Sequence, residues 1–267
     1  MNAPDKIPCT VAILTRNNAA TVPRCLDSVR DFAEIIVCDG GSTDGTLEIA
    51  RAAGARILNQ DKAHQDDQGR IIDFAGVRNQ TLAAASYDWF FYLDSDEYID
   101  SGLVEEIRNI IASSAIGAYF VPRLYVVDGA IVRCASTYPN QQMRFFSRTV
   151  ATQFKKSIHE RIELAPGIVP KRLVHAMYVP LSPDATELRA KWRRYLSLED
   201  ARRAPLTLRA WFSLALHETL VAALYAGRTL RALLWCRGKR MPLAIERARL
   251  WYQYEVIRRA LSSVNRW

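Results

Sequence analysis

Cysteine is scarce in this 267-residue chain, and each one stands alone. Cys9, Cys25, Cys38, Cys134 and Cys236 form no C-x-x-C pair, so zinc-site spacing is absent. They read as reduced core thiols of a cytoplasmic protein rather than as a disulfide frame. No low-complexity tract and no internal repeat is present, which excludes a repeat array. The opening MNAPDKIPCTVAILT has no basic stretch followed by a long apolar run, so no signal peptide is expected. The most apolar window, Ala210 to Ala226, is interrupted by Ser213, His217, Glu218 and Thr219. At about 17 residues it lies at the short limit for crossing a bilayer. No ordinary nucleic-acid-binding motif is visible.

What remains is a chain of ordinary globular composition, 49% apolar and 24% charged, long enough for one large domain or one domain with an appendage. Its net charge of +8 is unevenly placed. Residues 201–267 hold 13 Lys/Arg against 3 Glu, a balance of +10, and residues 1–200 balance at −2. A basic C-terminal quarter suits an anionic partner such as a membrane surface.

Along the first half, short apolar strands alternate with helical stretches. CTVAIL, EIIVCD, Ala55 to Leu58 and Trp89 to Leu93 read as strands. Val22 to Val29, Thr46 to Ala53, Phe74 to Ala85 and Val104 to Ile111 read as helices. Strands that are apolar throughout predict a parallel α/β sheet covered by helices on both faces. After residue 115, AYFVPRLYVVDGAIVRC predicts a hairpin turning at Asp128-Gly129, QMRFFS another strand, and Asp184 to Arg203 a charged helix.

Ligands of such sheets bind beyond the carboxyl ends of the strands, where Asp39 and Asp94 fall. FFYLDSDEYID carries a buried-looking strand straight into Asp94, Asp96 and Glu97. Carboxylates this close raise each other's pKa unless a cation intervenes, and a hard divalent ion is the usual partner. The bland alternative is that the acids cap the helix at Ser101 or lie solvated. CDGGSTDGT adds paired glycines for close backbone approach and Ser42, Thr43 and Asp44 as capping residues; alone it would be a plain glycine-rich turn.

In order, CTVAILTRNN, EIIVCDGGSTDGT, GVRNQTL and FFYLDSDEYI resemble glycosyltransferase family 2, whose members have the GT-A fold. YPNQQMRFF, FKKSIHERIE and LVHAMY resemble the second half of its lipopolysaccharide-core glucosyltransferase branch. The resemblance implies a Rossmann-like, mainly parallel sheet with a C-terminal helical extension. Residues 1–204 would be the catalytic domain, with 1–115 for the nucleotide sugar and 116–204 for the acceptor, and 205–267 a basic amphipathic helical region. It implies inverting transfer from a nucleotide-diphosphate sugar, UDP favoured, with Mg²⁺ or Mn²⁺. Thr15, Arg16 and Asn17 would border the nucleotide, Asp39 the base, Arg78 the diphosphate, and Asp94 the ribose or metal. Asp96 would bind the metal directly, His175 would reach the metal or diphosphate, Glu160 would be the general base, and His159 would orient the acceptor. Asn18 stands where the family usually has Glu, and the polar stretch from Leu58 to Phe74 replaces a shorter aromatic one. His64, within it, reads as an exposed loop histidine.

The expected acceptor is a glycolipid or polysaccharide, and the expected location is cytoplasmic, peripheral on the inner face of the membrane. From Leu206 onward, interfacial helices with arginines at the headgroups are one reading, and a helical cap packed on protein is the other. The competing functions are a phosphohydrolase using D-x-D, against which Tyr98 counts, and a degenerate transferase fold acting as a scaffold.

Overall fold

A computed structural model describes residues 6–113, 116–157 and 160–264. The strands and helices follow one another as β1 (Ile7–Thr15), α1 (Val22–Ser28), β2 (Phe32–Asp39), α2 (Thr46–Ala52), β3 (Arg56–Asn59), α3 (Phe74–Ala84), β4 (Trp89–Asp94), β5 (Tyr98–Ile99) and α4 (Ser101–Ala112). Then come β6 (Ala118–Val127), β7 (Ala130–Ile131), β8 (Gln141–Ser147), β9 (Ala151–Lys155), β10 (Arg161–Leu164), β11 (Lys171–Arg172) and β12 (Met177–Pro180). Three helices close the chain, α5 (Thr186–Arg202), α6 (Leu208–Trp235) and α7 (Leu243–Leu261).

The central sheet runs β3-β2-β1-β4-β8-β6. Its first four strands are parallel, β8 runs antiparallel to β4, and β6, antiparallel to β8, returns to the direction of the first four. The expected α/β class is present, its parallel core extended by antiparallel pairing into a mixed sheet. Alternate residues feed two cores, as a sheet covered on both faces requires. Val11, Ile13, Phe91 and Leu93 join α1 and α4 on one face. Ala12, Phe90 and Tyr92 join Leu82 of α3 and Phe154 on the other. Helix starts follow their caps: Asp73 accepts from Gly76 N at 3.2 Å and Asp100 from Leu103 N at 3.0 Å. The predicted hairpin turn is present, with positive φ at Asp128 and Gly129.

The chain divides into two compact units. One is Met1–Arg123 with Asn140–Val179 and holds the sheet; the other is Leu124–Pro139 with Pro180–Trp267. Inside the second, α5 belongs with α7 because Trp192 packs edge-on against Tyr252 at 5.3 Å and Arg259 pairs with Asp200 at 2.9 Å. Ser136 Oγ donates to the buried Glu246 at 2.5 Å, tying the hairpin segment to the same helix. Cys134 and Cys236 are joined by a disulfide there, so two of the five cysteines depart from the expected reduced state. A hundred residues separate them in sequence, which is why spacing gave no sign of the pair. Cys9, Cys25 and Cys38 are buried thiols as expected. Burial raises all three, Cys38 to about 12, which keeps them protonated. Among the described residues no helix is long and apolar enough to cross a membrane.

Candidate active site

Register places one end of the parallel strands in line. Thr15 pairs with Asp39, Asp39 with Asn59, and Leu14 with Asp94, so four strands deliver their last residues to one edge.

At the first exit, Asn17 takes a positive φ of 53° and its Oδ1 accepts from Thr43 N at 2.8 Å. Asn18 Oδ1 accepts from Arg16 N at 3.0 Å and Thr15 Oγ1 at 3.2 Å, so asparagine braces the loop where the family usually has glutamate. Arg16 reaches the intervening polar stretch, donating to Gln68 O at 2.6 Å. Asp39 is 3% exposed, and its carboxylate accepts from Gly41 N and Ser42 N, both at 2.8 Å, and from Ser42 Oγ at 2.5 Å. Gly41, at φ +87°, supplies a turn that a side chain would resist. Asp39 is therefore largely committed to shaping its own loop. His64 is half-buried rather than exposed, 3.1 Å from Asp73.

At the β4 exit the acids divide by environment. Asp94 is half-exposed and Asp96 exposed, while Glu97 is buried. Asp94 ion-pairs with Arg78, and its second oxygen lies 3.4 Å from Arg144 Nη2. Glu97 Oε1 lies 2.7 Å from Arg123 Nη2 and 3.2 Å from Arg144 Nη2, and Oε2 accepts from Asp94 N at 3.0 Å. Arg78 and Arg144 each lie 4.5 Å from the ring centre of Tyr92, whose hydroxyl donates to Met143 O at 2.8 Å. Burial pushes that phenol up to about 12, so it stays neutral. Burial lowers the pKa of the Arg144 guanidinium, but Glu97 and Asp94 more than offset this and hold it firmly charged. The antiparallel register of β8 on β4, Phe91 to Phe145, is what carries Arg144 to this edge.

Glu160 also arrives here, with Oε1 3.7 Å from Arg78 Nε, a buried nitrogen that makes no hydrogen bond. The structure thus brings Arg78, Asp94 and Glu160 together across 82 positions of sequence, numbered 78 to 160. Arg78, expected to approach the diphosphate, is 1% exposed and directs its charge to Asp94. His159 lies outside the described residues. His175, expected at the metal or diphosphate, sits over α4: its ring occupies the place of a side chain at Gly102, and Nδ1 lies 3.1 Å from Glu106. Among the described residues no three His, Cys, Asp or Glu side chains are grouped as metal ligands. Arg144, Arg123 and Glu97 were not assigned roles from sequence; an arginine inside the apolar run QMRFFS was the available sign.

Residues 10–162 match the family model described as glycosyl transferase family 2. A stretch of 156 residues, 58% of the chain, is 33% identical to a TPR repeat-containing protein of Synechococcus elongatus and covers 35% of it. Another of 112 residues, 41% of the chain, is 31% identical to the lipopolysaccharide core biosynthesis glycosyltransferase LpsC of Rhizobium meliloti and covers 39% of it. The chain therefore spans well under half the length of these relatives. Among solved structures, glucosyl-3-phosphoglycerate synthase of Mycobacterium tuberculosis, in complex with Mn²⁺, UDP and glucosyl-3-phosphoglycerate, is 25% identical over 44% of each chain, with a TM-score of 0.35. S. aureus TarS in complex with UDP is 16% identical over 86% of this chain and 72% of that one, with a TM-score of 0.46.

Proposed function

Because the chain belongs to glycosyltransferase family 2, we propose that it moves a sugar, with inversion, from a UDP-sugar to a glycolipid or polysaccharide acceptor of the lipopolysaccharide-core kind. The observation that carries this reading is the gathering of Glu160, Arg78 and Asp94 at the carboxyl edge of the parallel strands, with Asp96 exposed two residues on.

Asp96 offers exposed carboxylate oxygens of the hard type that Mg²⁺ and Mn²⁺ prefer, while Asp94, flanked by two guanidiniums, is already charge-compensated. Asp96 is the residue that would hold the ion, and His175, engaged with Glu106, is left out of that assignment. A bound ion would supply Lewis-acid compensation for charge on the departing nucleotide diphosphate.

The remaining chemistry rests on the chain itself. Glu160 accepts the proton of the acceptor hydroxyl, whose oxygen bonds to the anomeric carbon as the bond to the diphosphate oxygen breaks, its electron pair leaving with the nucleotide. Arg78 Nε, 3.7 Å away, orients the Glu160 carboxylate, and Arg144 and Arg78 together fix Asp94. Asp39 and Asn17 hold the glycine loop that borders the nucleotide. A location on the anionic cytoplasmic leaflet belongs to the same proposal, and the basic C-terminal quarter, at +10, supports it.

Incubating the protein with a panel of nucleotide sugars, with Mn²⁺ and with chelator, tests the reading. Metal-dependent release of UDP from one donor supports it. Binding of UDP without hydrolysis or transfer from any donor would overturn it in favour of a scaffold.

A further inference from the structure

α6 packs along α7 through one flank only. Trp211, Ala215, Glu218, Ala222, Tyr225 and Thr229, spaced alternately by four and three, are all partly buried, and Trp211 Nε1 donates to Ile257 O at 3.2 Å. No residue of α6 is fully buried. The opposite flank carries Leu208, Phe212, Leu216, Leu220 and Leu224, one every four residues, followed by Leu230 and Leu234, each 49% to 63% exposed. Each four-residue step advances about 40° around the helix, so the first five sweep about 160° of its circumference. That is a broad face, wider than the seam one partner helix covers.

Charge is excluded from the middle of this face. Between Ala210 and Leu230 no exposed residue is formally charged. Glu218 and Arg228, the charged residues of that stretch, are half-buried on the other flank, and Arg228 donates to Ser136 O at 3.2 Å. The exposed charges lie beyond the ends and are all cationic: Arg209 before it, Arg231 and Arg237 after it. The exposed surface from Phe212 to Leu230, which bears no formal charge, is about 27 Å long.

We infer that this face of α6 lies flat in the headgroup–acyl boundary of an anionic lipid leaflet, an inference that deepens the glycolipid reading above and rests on it. An apolar face with arginine at both ends matches hydrocarbon below and anionic headgroups around it. A second copy fits worse. Antiparallel pairing would set Arg209 of one copy against Arg231 of the other, and parallel pairing would set each arginine against its like. Spanning is excluded by the half-buried Glu218 and Arg228, which a crossing helix would carry into hydrocarbon.

The test is flotation of the full chain with vesicles of phosphatidylcholine, alone or with phosphatidylglycerol. Wild type should bind the anionic vesicles and release only partly in high salt. Leu216→Gln with Leu220→Gln should weaken binding at least about tenfold, since withdrawing each leucine from hydrocarbon costs more than the 1.4 kcal/mol that makes a factor of ten. Arg209→Gln, Arg231→Gln and Arg237→Gln together should weaken binding to anionic vesicles only and flatten the salt dependence. All variants should keep the wild-type circular dichroism and UDP affinity. Failure of wild type to bind either vesicle, or wild-type binding by the leucine variant, overturns the inference. So does a vesicle-free dimer that the leucine variant dissociates in sedimentation velocity. Loss of vesicle binding with intact sugar transfer would sink this inference alone, whereas vesicle binding without transfer from any donor would sink the enzymatic reading.

Discussion

Arg144 and Glu97 meet 3.2 Å apart with side chains 3% and 1% exposed, and a second guanidinium, Arg123, lies 2.7 Å from the same carboxylate oxygen. Opposite charges this deeply buried contribute little net stability as a pair, but removing one leaves the other uncompensated. Glu97 also accepts from Asp94 N, so the network fixes the backbone of the acid-bearing turn.

Glu97→Gln keeps the shape and removes the charge that two arginines share. The unfolding free energy should fall by about 3–5 kcal/mol, the range for breaking a buried ion pair. Urea midpoints with matched slopes measure it. A shift no larger than that of an exposed substitution, about 0.5 kcal/mol, would show that Glu97 anchors nothing.

Much of the site was legible because short motifs sit at strand ends. CTVAILT, EIIVCD and WFFYLD fix their own strand character, and the rule for parallel sheets then places Thr15, Asp39 and Asp94 at one edge. The networks were not legible, because burial of a charge depends on partners distant in sequence. Nothing in the local sequence of Arg78 shows that Asp94 and Tyr92 enclose it, nor that Asp39 is used by its own loop. His175 was drawn toward the metal by motif order alone, whereas the pairing of Met177 with Ile99 carries its segment alongside α4. The Cys134–Cys236 bond closes 102 positions and has no local signature.

Acid should expose a second anchor, Glu34. Burial alone would raise its carboxyl pKa, but Thr10 Oγ1 at 2.5 Å, Ser86 N and Oγ at 2.8 Å and Arg56 at 2.7 Å more than offset this and hold it below the usual glutamate value. A depressed folded-state pKa contributes stability that is fully present above the unfolded-state value, about 4.3, and is lost as pH falls through the folded-state one. Stability of the wild type should therefore drop with acid in that window, and Glu34→Gln should flatten the drop while lowering stability at neutral pH. Equal slopes in the two proteins, from urea unfolding at a series of pH values, would remove Glu34 from the account.

Asp96 is exposed, so Asp96→Ala should leave the thermal unfolding midpoint nearly unchanged. Calorimetry with UDP should nevertheless separate the two proteins. Wild type stripped with chelator should lose affinity and regain it on adding Mn²⁺; the variant should show no gain from Mn²⁺. A metal-dependent gain of wild-type size in Asp96→Ala would take this residue out of the metal site.

Glu160 tests the chemistry most directly. Its side chain is 20% exposed and Oε1 lies 3.7 Å from Arg78 Nε, beside the Asp94 exit, so it is neither fully enclosed nor unpaired. Glu160→Gln preserves volume and removes the proton acceptor together with the negative charge facing Arg78. Transfer should fall by roughly 10²–10⁴, the usual contribution of a general base, with UDP affinity and the unfolding midpoint close to wild type. Arg78→Lys separates position from charge: losing the planar guanidinium should release both Asp94 and Glu160, lowering transfer and stability together. Should Glu160→Gln transfer sugar at the wild-type rate, the proton goes to another group, and the nearness of Glu160 to Arg78 serves the fold alone.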